Sequence, residues 1–319
     1  MQNGAPMQKF LPMALVVFLA FTFPAHAKKE EGLPAFRKVL EKQAAHLARL
    51  PIDKGSRGCG ERYERLWRDQ ALEIDWFYGY LDSNEIVMDR MVRDETIRAL
   101  RLKCGRGPIG ACGFKKVADH SKSMGPILLT KDLPAGHQVR IRIWNSTLND
   151  WNYENTLGVG RLILTRKAQK EKNQAVWDAF LRSLRQTEVV IYDGHSRGGS
   201  GPGFGPYGVS QMVSGQLLKS NWRRVVRALE KSSQRPEVIM FASCKSQDYY
   251  LPALRKKFPG MAVAATEFEQ SFGNNEQTVF SLVDSLVVGR CQAGINEAMR
   301  ASHADRTASM EVFNFESRR

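Results

Sequence analysis

"EVVIYDGHSRGG", residues 188–199, decides how this chain is read. Val189, Val190, Ile191 and Tyr192 form an unbroken β-branched and aromatic run, the pattern of a strand buried on both faces. Gly194 stops it, and a glycine-rich loop follows. The same form recurs at 237–244, "EVIMFASC", where a second apolar run ends on a cysteine. Helical spacing fills the interval from about 209 to 230. Two such strands joined by a helix imply parallel pairing with a right-handed crossover. Ligand and catalytic sites in sheets of this kind lie beyond the carboxyl ends of the strands. His195 and Cys244 stand at those two ends.

Working outward, "HQVRIRIW" (137–144) alternates as a strand and "GRLILTR" (160–166) reads as another. "EKNQAVWDAFLRSLR" (171–185) reads as a helix with Val176, Phe180 and Leu184 on one face. A short helix is expected over 248–258, a strand over 261–268 and one long helix over 274–299. Residues 28–135 read as a helical and irregular leader. Phe36, Val39, Leu40, Ala44 and Leu47 fall at helical spacing, and a second helix is expected from Glu61 to about Phe77. "LPIDKGSRGCGER" (50–62) and "KCGRGPIGACGF" (103–114) read as loops. The fold class expected is α/β, a mostly parallel sheet flanked by helices over 136–319, preceded by that smaller leader.

Residues 1–27 have the form of a secretory signal peptide. Lys9 precedes the apolar run "FLPMALVVFLAFTF", and "PAHA" offers a small-residue cleavage site after Ala27. No later stretch approaches the roughly 20 apolar residues of a membrane span. An exported protein, periplasmic or extracellular, with no membrane span after cleavage is expected. The formal net charge of +14 favours anionic neighbours, including an acidic protein or peptide substrate. Nucleic acid is not expected, because no basic cluster interleaves with aromatics on a recognisable module.

Two chemistries overlap in the glycine loop. Gly194, Ser196 and Gly198 spell G-x-S-x-G, the nucleophile elbow of serine hydrolases, which needs a sharp turn from strand into helix. Here seven glycines and two prolines fill residues 194–208, a composition that excludes a helix. An elbow serine is also followed by an acid and then a histidine, and the only later histidine, His303, sits near the end of the long helical stretch. The other chemistry pairs His195 with Cys244, 49 positions later. A thiolate is the working nucleophile, and an imidazole beside it takes the thiol proton and returns it to the leaving amine.

In these two segments the chain resembles the caspase-type cysteine peptidases, a group that includes legumains and gingipains. The shared pattern is an apolar strand ending in His-Gly and a second ending in a small residue and Cys, with the histidine roughly 50 residues upstream. The resemblance covers about 137–300. It implies His195 as general base, Cys244 as nucleophile and Ser243 as the small residue before it. It also implies an oxyanion hole from the backbone N–H groups of Cys244 and the turn after His195. Ser196 departs from the family's glycine there, although any residue but proline supplies the N–H. Peptide-bond hydrolysis follows from the resemblance, with no metal or organic cofactor required. A caspase-like fold serving as an inactive binding or scaffold module is the competing expectation.

Five cysteines leave one without a partner. With Cys244 given to catalysis, Cys104 and Cys112 are the favoured pair, since three glycines and a proline lie between them. Cys59 with Cys291 follows. A zinc site drawn from Cys104, Cys112, His120 and His137 fits no common ligand spacing.

Overall fold

A computed structural model describes residues 32–52, 56–80, 88–104, 110–148, 159–205, 215–269, 274–301 and 310–316. The expected signal peptide at 1–27 lies outside them, as does His303. One sheet takes its strands from β1 (Ala71–Tyr78), β2 (Lys115–Asp119), β3 (Ile127–Asp132), β4 (Gln138–Asn145), β5 (Val189–Asp193), β6 (Val238–Ala242), β7 (Ala262–Ala265) and β8 (Glu311–Phe313). Their spatial order is β2-β3-β4-β1-β5-β6-β7-β8. The four central pairings, β4 with β1, β1 with β5, β5 with β6 and β6 with β7, are parallel. The outer strands β2, β3 and β8 join antiparallel.

Helices cover both faces. On one side lie α1 (Gly32–Leu47), α2 (Arg57–Leu66), α3 (Asp89–Leu100), α7 (Asn274–Val288) and α8 (Gln292–Arg300). On the other lie α4 (Val159–Ser183), α5 (Gly215–Glu230) and α6 (Ser246–Lys257). The strands divide their side chains between these layers. Val189, Ile191, Val238, Met240 and Ala242 enter the first core, while Val190, Tyr192, Ile239 and Phe241 enter the second. Burial on both faces is why β5 and β6 read as continuous apolar runs rather than alternating ones.

The leader reading changes most. Helix α2 ends at Leu66, and the chain turns at Gln70 (φ 58°) into β1, where a helix had been expected to run on to Phe77. Leu72, Ile74, Trp76 and Tyr78 share one face of β1, and Glu73 and Asp75 the other. Arg142 on β4 pairs with both carboxylates, at 2.5 Å to Asp75 and 3.3 Å to Glu73. That pairing lets two acids sit on a central strand, where an unpaired charge would be costly. β1 therefore lies at the middle of the sheet, and β2 and β3 also come from the segment read as helical and irregular.

Two other expectations are corrected. Residues 160–166 are the start of α4, not a strand; a short apolar run carries no periodicity that separates the two. The stretch 274–299 is two helices, broken at Gly289 (φ 85°), where the N–H groups of Gly289 and Arg290 both bond the carbonyl of Ser285.

Cys59 is bonded to Cys291, joining α2 to the start of α8, and Cys104 is bonded to Cys112. With its sulfurs so engaged, the Cys104–Cys112 segment offers no thiolates for zinc. Among the described residues no helix is long and apolar enough to cross a membrane.

Candidate active site

Strands β5 and β6 run side by side, and the last partners in their register are Asp193 and Ala242. The Gly194 N–H extends the ladder by one bond, 3.1 Å to the Ala242 carbonyl. His195 lies two residues beyond Asp193, and Cys244 two residues beyond Ala242. The fold thus carries both candidates to equivalent positions on neighbouring strand ends, with strands of this kind about 4.8 Å apart. Each side chain is half-buried. Cys244 takes part in neither disulfide.

The two loops differ sharply in shape. After Cys244 the chain turns once, through Lys245 in the left-handed region (φ 49°, ψ 30°), and enters α6 at Ser246. The Lys245 N–H bonds the Phe268 carbonyl at 2.9 Å, and the Ser246 hydroxyl accepts from the Thr266 N–H at 3.0 Å, so the loop after β7 holds this turn. A strand–turn–helix with its helix N-terminus at the cysteine favours the thiolate over the thiol. The glycine loop has no such form. After Ser196 comes one 3-10 turn (Arg197–Gly199), then irregular chain to Gly205, and the next described helix is α5 from Gly215. The sharp turn into a helix that a nucleophile elbow needs is found at Cys244, not at Ser196.

Four groups hold the glycine loop. The buried Tyr192 hydroxyl donates to the His195 carbonyl at 2.9 Å and accepts from the Gly203 N–H at 3.0 Å. The buried Tyr250 hydroxyl donates to the Ser196 carbonyl at 3.0 Å. The Trp222 N–H bonds the Ser200 carbonyl at 3.0 Å, and the Asn221 amide bonds the Pro202 carbonyl at 3.2 Å. Burial, and then the neighbouring Tyr192, push the Tyr250 hydroxyl well above the usual tyrosine range, so it stays protonated and a donor.

Beneath the strand ends is a buried acidic pair. Asp193 and Glu276, in the first turn of α7, are both fully buried. Burial first, then the charge of Glu276, hold the Asp193 carboxyl well above the usual carboxylate range; Trp76 and Asn275 pull the other way. Neither Asp193 oxygen accepts a hydrogen bond of ordinary geometry among the described residues. The Asn275 amide instead bonds the Ala242 carbonyl at 3.0 Å, tying α7 to the end of β6. Two neighbouring buried carboxyls cannot both ionise cheaply, so the site favours the protonated form of Asp193.

Two cavities lined by described residues lie away from these strand ends. One of about 270 Å³ is lined by Glu73, Asp75, Arg142 and the end of α4. Its polar groups already serve each other: Asp75 accepts from Arg142, Ser183 and Thr187. Among the described residues no cluster of three or more His, Cys, Asp or Glu side chains could hold a metal ion.

The sequence marks His195, Ser196 and Cys244 but passes over Tyr192, Tyr250, Asp193 and Glu276. Asp193 had a signal, a charged residue closing a fully apolar strand. Tyr250 had none, because its role depends on how α6 packs. The chain matches no family model, and no curated protein or solved structure is similar enough to count as a match.

Proposed function

We propose that the protein is an exported cysteine endopeptidase working through a Cys244–His195 dyad. The observation that carries this reading is the equivalent placement of the two residues beyond adjacent parallel strands, with the strand–turn–helix at the cysteine. The motifs resemble those of caspase-type peptidases, and the parallel order of β5 and β6 suits that resemblance. Two disulfides suit an oxidising compartment, and the positive charge suits an acidic peptide or protein substrate.

In this mechanism His195 takes the Cys244 proton, and the sulfur attacks the scissile carbonyl carbon. The C–S bond forms while the carbonyl electron pair moves onto oxygen, where the N–H groups of Ser196 and Cys244 receive it. Collapse expels the amine, protonated by the imidazolium. Water, deprotonated by the same imidazole, then releases the acyl group and restores the thiol.

The test sets the two overlapping motifs against each other on a fluorogenic peptide panel. Cys244→Ala is expected to abolish turnover, and His195→Ala to lower it by about 10²–10⁴. Ser196→Ala is expected to keep most activity, because alanine keeps the N–H. A dead Ser196→Ala beside an active Cys244→Ala would transfer the chemistry to serine. Silence of the unaltered protein across the panel would favour the inactive scaffold.

A further inference from the structure

We propose that Tyr192 and Tyr250 are positioning residues that aim the Ser196 backbone N–H at the developing oxyanion. The proposal rests on the dyad reading above and extends it to residues that never touch substrate. Each hydroxyl joins two limbs of the glycine loop. Tyr192 donates to the His195 carbonyl and accepts from the Gly203 N–H. Tyr250 donates to the Ser196 carbonyl, and the Gly201 N–H faces its oxygen. The far limb is itself anchored to the centre of the sheet, since the Tyr80 N–H bonds the Gly203 carbonyl at 2.9 Å.

A trans peptide is planar, so its N–H points opposite to its C=O. Fixing the His195 carbonyl on the Tyr192 hydroxyl fixes the Ser196 N–H in the reverse direction. Tyr192 belongs to the core beneath α4, α5 and α6, so that N–H is turned away from the hydroxyl that this core holds. Among the described residues the Ser196 N–H bonds no protein acceptor. Tyr250 holds the next carbonyl in the same way, and the Gly199 N–H adds a bond to it at 3.1 Å. Two successive peptide units, on either side of Ser196, are thus clamped.

Space has been left for this clamp. A Cβ on Gly194 would stand 2.7 Å from the Tyr192 hydroxyl, and one on Gly79 would stand 2.6 Å from it. Both glycines are required by that oxygen rather than by their own backbone angles. The clamp also accounts for the departure at Ser196. Glycine there would leave the peptide mobile unless its dihedrals were held, and two buried tyrosines hold them whatever the side chain.

The test compares two reagents on the full chain. p-Nitrophenyl acetate acylates the Cys244 sulfur through a tetrahedral oxyanion: the C–S bond forms, and p-nitrophenolate leaves with the C–O electron pair. Iodoacetamide alkylates the same sulfur by displacing iodide, with no oxyanion. Tyr192→Phe is expected to slow acylation about 10–100-fold, less than the loss of a whole oxyanion donor. Its alkylation rate and pH profile should stay within about twofold of the parent. Tyr250→Phe, which alters the next carbonyl, should act in the same direction and serves if the first variant does not fold. Equal loss in both reactions would mean general disturbance, and no loss in either would mean an idle contact; both overturn the clamp alone. An ordinary thiol rate for Cys244 in the parent protein would overturn the dyad, and the clamp with it.

Discussion

Replacing Arg62 by methionine should cost about 4 kcal/mol of folding free energy and leave catalysis untouched. Arg62 lies in α2 with its side chain fully buried. Nη1 donates to the Glu237 carboxylate at 2.7 Å and to the Glu237 carbonyl at 3.1 Å. Nη2 donates to the carbonyls of Gly260 and Asn314, both at 2.9 Å, and Nε to that of Phe315 at 3.0 Å. One side chain therefore ties α2 to the amino ends of β6 and β7 and to the exit of β8. Breaking a buried ion pair costs about 3–5 kcal/mol, because the remaining charge loses its partner. Glu237 keeps a second one, Arg65 Nε at 3.0 Å, which trims that loss. Four carbonyls lose a donor as well, at roughly 1 kcal/mol or less apiece where relaxation or water replaces it. The balance stays near 4 kcal/mol, or a fall of roughly 10 °C in Tm. Urea unfolding followed by tryptophan fluorescence, without reductant, reads the value directly. Adding Glu237→Gln should recover part of it, since the side chain that lost Arg62 is then neutral. All these contacts lie at the edge of the sheet where the parallel strands begin and the antiparallel β8 ends, so Cys244 reactivity below the transition should match the parent. A loss under about 1 kcal/mol, or one accompanied by slower alkylation of Cys244, would refute the reasoning.

Lys172 is buried, with its ammonium on the Met124 carbonyl at 3.1 Å, and burial chiefly, then Arg93, lowers its pKa to about 8. The folded chain thus binds fewer protons than the unfolded one between about pH 8 and 10.5, so wild-type stability gains from this group as pH rises through that window. Lys172→Met should be the more stable protein at pH 7, by an advantage that shrinks by about 3 kcal/mol up to pH 10.5; a gap independent of pH in urea titrations would contradict this. The disulfides should rank by the loop each closes. Removing Cys59–Cys291, with a sequence separation of 232, should cost about 5.5 kcal/mol, against about 2.5 for Cys104–Cys112 at a separation of 8. Paired alanine variants compared in urea give both figures, and a reversed order would show that loop entropy does not govern them.

The parts of the fold legible in the sequence were those whose signal is local. β5 and β6 announce themselves because both faces are buried, so every residue but the closing Asp193 is apolar or aromatic. β1 was missed although Leu72, Ile74, Trp76 and Tyr78 alternate with Glu73 and Asp75. The helical spacing just before it ran into a strand whose polar face is satisfied only by Arg142, 67 positions away. The break in 274–299 rests on a single glycine, and Gly289 looks like any helical glycine until its φ is known. In the candidate site, His195 and Cys244 could be found because residue type and strand context coincide. Tyr192 read as one more core aromatic, since nothing in sequence says that its hydroxyl reaches past the strand end to two backbone groups. Glu276 read as one acid on a long helix, and its closeness to Asp193 exists only once α7 is packed beneath β5.

The central position of β1 bears on how the chain can reach this structure. Ala71 pairs with Gln138 and Ile74 with Val189, so the first strand made has neither neighbour until 67 and then 115 further residues have appeared. Its apolar face stays exposed throughout that interval. The Cys59–Cys291 bond closes later still, once most of the polypeptide exists. Closing such long loops costs entropy before any contact repays it, which makes for slow folding. A nascent chain of this topology cannot lock prematurely: it remains threadable until its last third is present, and only then can the sheet assemble around its own beginning.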